Sequence, residues 1–459
     1  MKKRLLFLLI FLPALLQAQF NNFGYGLVIN AQLVGSTLQL SVNDPSLGII
    51  TNQMSNINNY IIEDGCVIGT NGSSVAYGTY DTEDHQWKTG ATSTSSGTVI
   101  HNKDGVVGWA TTGGSVYFGT YDPIIKLWSF YGGSTGSSPT LKLNQGIAAY
   151  STPGGSVSFG IYEYSQHAWI TYGGSTGVNP SVTVSEGIVA YSTPGGSVYY
   201  AIYNHLSKQW DTNGGSTGVS PTIVNQDGIV AYSTPGGSVY YAVFDPLLNQ
   251  WITEGGSTGN NPVLSINDGT VYYTVGSTNY IYGYDINLGG WVNNSTTVIY
   301  CKPFIETPDP NHTDFCVFRV ESIGANAYSY SCDDGQFILQ RNAIKRYTSA
   351  GTYNPTLQVS NSSYNSTCGN PVNIGTGIND VDNIKFEISP NPSSAIIKIK
   401  SPLKMSSIQL INIEGRPLIS KKKIDTTESE INIEKYPSGV YLIKINVDGE
   451  TYNHKIIKL

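Results

Sequence analysis

Six tryptophans recur at nearly fixed intervals: Trp87, Trp128, Trp169, Trp210, Trp251 and Trp291, with steps of 41, 41, 41, 41 and 40 residues. Each follows an acid or an amide by six residues, namely Asp81, Asp122, Glu163, Asn204, Asp245 and Asp285. A degenerate copy precedes them, with Asp44 six residues before Ile50. A period of this size marks a repeat architecture, in which each unit covers its neighbour's apolar face. The copy from Asp227 to Asn267 divides into four short β segments, Gly228–Tyr232, Ser238–Phe244, Gln250–Thr253 and Pro262–Ile266. Pro-Gly-Gly, Asp-Pro-Leu-Leu and Gly-Gly-Ser-Thr-Gly lie between them and are turn compositions.

Four strands per copy is the spacing of a propeller blade. The segment Val239–Phe244 is apolar on both faces, as a sheet between two neighbours must be. One position in this strand is small in nearly every copy: Gly78, Gly119, Gly160, Ala201 and Ala242. This predicts a close approach of the adjacent blade. Copies begin near Gly24, Asp64, Asp104, Gln145, Glu186, Asp227 and Asp268. The expected architecture is all-β, with a seven-bladed β-propeller over residues 24–300 that closes on itself and exposes few edges. An open stacked array is the competing arrangement. Only 12% of the 459 residues are charged, and 51 are Gly and 32 Tyr, which suits many tight turns and aromatic strands.

The repeat resembles the kelch repeat in its double glycine and in an aromatic seven residues before Trp, as in Tyr121-Asp122-Pro123 before Trp128. That resemblance implies a propeller of the kind that serves mostly as a binding platform. Residues 301–375 resemble a PKD domain, an immunoglobulin-like β-sandwich. The matching elements are Asp334-Gly335 after an aromatic strand, then Tyr347, Ala350-Gly351-Thr352-Tyr353 and the strand Thr356–Ser360. After a linker at 376–384, residues 385–459 resemble the C-terminal sorting domain of the type IX secretion system. Ser389-Pro390-Asn391-Pro392 opens it, Glu414-Gly415 follows two apolar strands, and Tyr436-Pro437-Ser438-Gly439-Val440-Tyr441 precedes the closing strands. Pro390, Asn391, Pro392, Gly415, Gly439 and Tyr441 carry the motif. Alternating strands and Gly turns independently predict a second small β-sandwich here. The resemblance implies the type IX secretion machinery as a partner, and a destination outside the cell or on the extracellular face of the outer membrane.

The N-terminus agrees with export. Lys2, Lys3 and Arg4 precede the apolar run Leu5–Leu16, and Ala18 is the candidate cleavage position of a signal peptide over residues 1–18. No later segment has the length of a transmembrane helix. Residues 19–380 carry 10 Lys and Arg against 23 Asp and Glu, whereas 381–459 carry 12 against 9. An acidic body argues against nucleic acid and anionic membranes as partners. Cys301, Cys316, Cys332 and Cys368 predict two disulfides, with three pairings open. Cys66, alone in an apolar strand, is expected as a buried thiol.

Catalytic chemistry is sparse. The histidines lack metal-ligand spacing, no GxSxG elbow occurs, and the Gly-Gly-Ser-Thr-Gly runs lack the Lys and helix of a phosphate loop. His85 and His167 share a repeat position filled elsewhere by Lys126, Lys208 and Asn249, and are expected at the surface. One constellation stands out. Asp64, Asp104, Glu186, Asp227 and Asp268 each precede Gly at the entry to a copy, with Gln145 in the equivalent place. They are expected to ring one mouth of the propeller and bind a cation, calcium for example, or a basic partner. Asp-Gly as a plain turn pair is the simpler reading. The opposite end carries Ser-Thr-Pro-Gly-Gly and Gly-Gly-Ser-Thr-Gly loops, with Tyr131 and Tyr172 as candidates to stack on a sugar. Symmetry favours a non-catalytic platform for glycan or protein, without a cofactor, because repeated sites give multivalency. The alternatives are an enzyme degrading extracellular polysaccharide, as glycosidase or lyase, and a structural component of a surface layer or matrix.

Overall fold

The computed structural model describes residues 28–136, 138–259, 261–375, 386–412, 416–447 and 450–459. The signal peptide and the linker fall outside these residues, as does Gly415. The chain divides into two units, one ending at Thr376 and the other starting at Gly377.

The first unit opens with seven antiparallel sheets in series. The first spans Asn30–Ser55 and has three strands. The others have four strands each and span Asn59–Ser93, Thr98–Ser134, Thr140–Ser175, Ser181–Ser216, Thr222–Ser257 and Val263–Asn293. Each resembles a propeller blade. The phase differs from the sequence expectation by one strand. The strand Thr222–Gln226 pairs with Ile229–Thr234, so each sheet joins the last segment of one copy to the first three of the next. The fourth strand also runs through the double glycine expected to be a turn, as in Gln250–Ser257. Gly132, Gly173, Gly214 and Gly255 take positive φ there, and a Cβ at Gly132 would run into the Val116 carbonyl.

Sheets pack face to face in sequence order. In the third sheet Val116 and Phe118 face the fourth, where they meet Leu141 and Ala148. Tyr121 faces back toward the second. A ladder recurs across most junctions; Phe244 breaks its tyrosine bond at the sixth sheet, and the Trp87 indole at the second has no partner. Tyr80, Tyr121, Tyr162, Tyr203 and Tyr284 donate their hydroxyls to Asp44, Asp81, Asp122, Glu163 and Asp245 of the preceding sheet. The indoles of Trp128, Trp169, Trp210, Trp251 and Trp291 donate to main-chain carbonyls on the preceding fourth strand. The small repeat position serves its own sheet as much as the next one. A Cβ at Gly78 would meet Met54 of the first sheet, but at Gly119 it would strike Phe130 of the same sheet.

Closure departs from the expected ring. Buried clusters join the first sheet to the second and so on to the seventh. Among the described residues no such cluster joins the seventh to the first. The outer face of the first sheet is instead mainly polar and exposed, with Asn30, Gln32, Gln39, Asn43, Thr51 and Gln53 beside the apolar Val34 and Ile49. A polar outer face is the cap of an open stack. The strand that repeat spacing would offer to the first sheet, Tyr300–Glu306, pairs with Phe315–Ile323 in the following module.

That module, residues 300–375, builds a three-stranded and a four-stranded sheet around one core containing Phe318, Tyr330, Leu357 and Val359. Cys301 and Cys368 are bridged, whereas Cys316 and Cys332 are free thiols. The second expected disulfide is therefore corrected: these two thiols pack as small apolar groups in the core. Burial pushes the Cys66 thiol up to about 12, in line with an inert interior residue.

The second unit is one five-stranded curled sheet rather than the expected two-sheet sandwich. Its strand Ile396–Ile411 shifts register between Lys400 and Ser407. The N-terminal half pairs with Glu387–Ser389 and the C-terminal half with Gly439–Val447, so one bent strand supplies both walls around Ile399, Leu410, Ile431 and Ile443.

The junction ladder is testable. Tyr121 Oη lies 2.7 Å from Asp81 Oδ2, and Asp81 is fully buried. Tyr121→Phe should lower unfolding free energy by about 1–3 kcal/mol in urea titration, because a buried acceptor is left unpaired.

Candidate functional site

Antiparallel order places two hairpins of every sheet at one end of the stack, and the third hairpin with the crossover at the other. The first end holds the predicted acids. Asp64-Gly65 is a two-residue loop with φ of 51° and 73°, a conformation that favours Asp, Asn and Gly. Asp104-Gly105, Gln145-Gly146, Glu186-Gly187, Asp227-Gly228 and Asp268-Gly269 repeat it. The turn reading thus accounts for the backbone, and the side chains form a row along the stack. Asp64 accepts from the Asp104 amide at 2.8 Å, and Asp104 accepts from the Gln145 amide. Gln145 donates to Glu186 at 2.9 Å, and Asp227 accepts from the Gly269 amide at 2.9 Å. Burial and the neighbouring Asp64 raise the Asp104 carboxyl to about 6. Among the described residues no three His, Cys, Asp or Glu side chains gather to hold a metal.

The following module covers this row. Gln340 donates to Asp64 at 3.3 Å, Tyr328 to Glu186, Asn326 to Asp227 at 3.0 Å, and Ser362 and Ser363 to Asp268. Asn342 donates to the Gln145 carbonyl at 2.6 Å, and the Arg341 guanidinium lies over Gly187. In the parallel row, Asp44, Asp81, Asp122, Glu163 and Asp245 are buried and committed to the ladder. Arg319 reaches Glu163 at 2.5 Å and the Tyr162 carbonyl at 2.9 Å. Burial alone would raise Glu163, but Arg319 with Ser165 and Lys208 holds it down at about 2. His85 and His167 are partly exposed, and each lies 2.8 Å from the acid of a preceding sheet, Asp44 and Asp122 respectively.

Sequence reasoning missed the residues under this interface. Glu321 is 2% exposed, and neither carboxylate oxygen has a hydrogen-bond partner. Burial raises it to about 7 against the opposing pull of Lys302 and Arg341. His205 is buried beside Phe304, and burial with Arg319, Arg341 and Lys208 holds it neutral.

At the opposite end the loops are free. The hydrogen bonds between module and stack all fall on the acidic end among the described residues. Grooves open here between neighbouring sheets. One, of about 420 Å³ between the second and third sheets, has Tyr77, Trp109, Tyr117 and Phe130 on its walls and Thr94 and Ser115 at its rim. The next, of about 470 Å³ between the third and fourth, is lined by Tyr131, Tyr150, Tyr172, Ser156, Ser158 and Thr171, among others. Tyr131 and Tyr172 are 39% and 48% exposed, as their candidacy requires. A further column, Trp109, Tyr150, Tyr191, Tyr232 and Tyr273, repeats every 41 residues, and that spacing was the signal by which it could have been found. In most sheets a tyrosine stacks on it across the strands, as Tyr199 does on Tyr191 with centroids 5.4 Å apart. The fourth sheet has Ser158 at that place, and the groove beside Tyr150 stands open.

In the second unit, Asn391 donates to the Lys455 carbonyl and accepts from the Ile457 amide, both at 2.9 Å, which ties the opening motif to the last strand. Tyr441 donates to the Pro437 carbonyl at 2.7 Å, and Gly439 begins the strand between them. Pro390 and Pro392 flank Asn391. Residues 387–459 match the model of the secretion system C-terminal sorting domain. A sorting domain of this kind indicates export by the type IX system, to the cell surface or the medium. Among the described residues no helix is long and apolar enough to cross a membrane. Among solved structures, the chain is similar to several, a β-propeller domain and a set of WD40 repeats among them. Hsv2p of Kluyveromyces lactis is 12% identical, with 64% of this chain and 99% of that one covered and a TM-score of 0.25. Sqt1 of Saccharomyces cerevisiae is 8% identical, with 78% and 97% covered and a TM-score of 0.26. The β-propeller domain of Cps50 (Swd1) from Myceliophteria thermophila is 9% identical, with 59% and 97% covered and a TM-score of 0.23. A comparison with curated proteins finds no match.

Glu321 gives the docked end a pH dependence. Its carboxyl is raised above its unfolded value of about 4.5, so the folded state holds the extra proton and stability declines as pH rises from there through about 7. Glu321→Gln should flatten that decline and raise the melting temperature at pH 8 relative to the parent.

Proposed function

We propose that this protein is an exported, non-catalytic binding or adhesion platform, presented on the extracellular face of the outer membrane or released, and that it holds glycan or protein at the loop end of its sheet stack. The observation that carries this reading is the series of aromatic and hydroxyl-lined grooves at the end that the module leaves uncovered. Their lining contains no Asp, Glu, His, Lys or Cys, so a general acid and base pair is not built into either groove. This favours binding over a glycosidase or lyase activity. The kelch-like spacing of double glycine and Trp supports the same reading.

The acidic row of Asp64, Asp104, Glu186, Asp227 and Asp268 has, in this account, the chain's own PKD-like module as its basic partner. Arg341 brings positive charge beside Glu186, and the neutral donors Gln340, Tyr328, Asn326 and Ser362 meet the other acids. The mainly polar outer face of the first sheet, with Val34 and Ile49 as its exposed apolar residues, ends the stack and favours the platform over a surface-layer role by head-to-tail packing.

The test is the full-length protein, on arrays of glycans and on cell-envelope and host extracts. Saturable binding that falls at least about tenfold in Tyr131→Ala/Tyr172→Ala, with melting temperature unchanged, is expected. Depolymerised polysaccharide in the same samples would replace the platform with an enzyme.

A further inference from the structure

The platform reading leaves the ligand class open, and the two grooves narrow it. Their walls are aromatic: Tyr77, Tyr117 and Phe130 around the buried Trp109 in one, and Tyr131 and Tyr150 in the other, where Tyr172 contributes from its strand while its ring packs beside Phe159 on the opposite face. Their rims are hydroxyls of Ser and Thr, and no charged side chain lines either. A ligand that fits must offer flat C–H faces to rings and hydroxyls to hydroxyls at once. A pyranose ring does both. An anionic glycan or a basic peptide would lose the hydration of its charges in these grooves without gaining a countercharge.

The grooves also repeat. They lie at the same place in successive copies, so Trp109, Ser115 and Tyr117 in one correspond to Tyr150, Ser156 and Ser158 in the next. Stacked sheets are separated by roughly 10 Å, and the grooves between them recur at that step. This is close to one disaccharide unit of an extended β-linked pyranose chain. We propose that the two grooves bind one extended, uncharged polysaccharide that runs along the stack and places about one disaccharide in each groove. This proposal rests on the platform reading and specifies its ligand.

Ser158 is the residue that opens the second groove. The equivalent residues in other sheets are Tyr117, Tyr199, Tyr240 and Tyr280. Two of them stack on their cross-strand partners with centroids 5.4 Å apart, Tyr199 on Tyr191 and Tyr240 on Tyr232. A tyrosine at 158 therefore has a precedent in neighbouring repeats, Tyr117 beside Trp109 in the first groove among them, and would give the second groove the form of the first.

The experiment is calorimetric titration of the full-length protein with size-graded neutral oligosaccharides, β-linked glucose and mannose series, and with oligouronates of matching length. The neutral oligomers should bind, with affinity that climbs from disaccharide to tetrasaccharide as the second groove engages and then levels. Tyr131→Ala should remove the gain from the longer chain, a loss of about tenfold or more, and Ser158→Tyr, which gives the second groove the form of the first, should keep it, while circular dichroism and melting temperature stay at parent values. Asp268→Asn at the covered end should leave binding unchanged. Equal affinity for oligouronates, affinity independent of length, or unchanged binding in Tyr131→Ala would overturn the proposal. Binding to an extracted protein with no affinity for any oligosaccharide would also overturn it while leaving the platform reading intact. Absence of binding to oligosaccharides, glycan arrays and extracts alike would remove both.

Discussion

The structure depends on carboxylates that are buried at five of the six junctions between successive sheets and satisfied from the next sheet; between the fifth and sixth sheets Asn204 and Phe244 take their places. Asp81 and Asp122 are fully buried, and each accepts a tyrosine hydroxyl from the repeat about 40 residues further on. The second oxygen of each caps its own turn by accepting main-chain amides. A buried charge so placed is tolerable only if both oxygens are occupied. Neither sheet can satisfy it alone, and the same holds for the apolar faces around it. The indole bonds to the preceding fourth strand fix the register of the same junction. Stability of such a chain is therefore a property of neighbouring pairs, and the ends need separate treatment.

The two ends of the series and the two faces of each hairpin row show that treatment. The first sheet ends in amides and hydroxyls. The acidic hairpin end is covered by the module that follows, whose Arg319 enters a site built around Glu163 and whose Asn326, Tyr328, Gln340 and Ser362 meet successive hairpins. The interface joins these polar contacts to an apolar cluster of Ile124, Tyr162, Tyr164, Phe315, Val317 and Ile344. Its polar groups are not all satisfied: the Glu321 oxygens and Arg341 Nε and Nη2 lack hydrogen-bond partners, and Glu321 makes the docked state sensitive to pH. What remains uncovered is the loop end, where the repeats present aromatic grooves at regular steps.

Much of this was legible in the residues, because the period of Trp and Asp reports directly on a junction that recurs. The strands, the turn role of Asp-Gly and the buried state of Cys66 followed from local pattern. Pairing across copies did not. Which sheet takes Thr222–Gln226 is decided by long-range partners, so the phase was off by one strand, and the same ambiguity hid the polar cap. The sorting domain's strands were legible, but the bend in Ile396–Ile411 that makes one curled sheet instead of two depends on register shifts that alternation does not encode. Cysteine clustering could not distinguish the bridged Cys301 and Cys368 from Cys316 and Cys332, which pack in the core. The acids at 64, 104, 186, 227 and 268 were found by their spacing. The neighbours that occupy them, Tyr328, Asn326 and Ser362, have no repeat and left no pattern to read.

The central claim is that the acidic hairpin end is closed by the chain's own module while the loop end stays open. Amide hydrogen exchange on the full-length protein measures both ends at once. The account predicts slow exchange at Asp104, Gln145, Gly187 and Gly269, whose amides are bonded beneath the module, and fast exchange at the Pro-Gly-Gly loops around Gly154, Gly195 and Gly236. Fast exchange at the hairpin amides, at rates matching those loops, would contradict it.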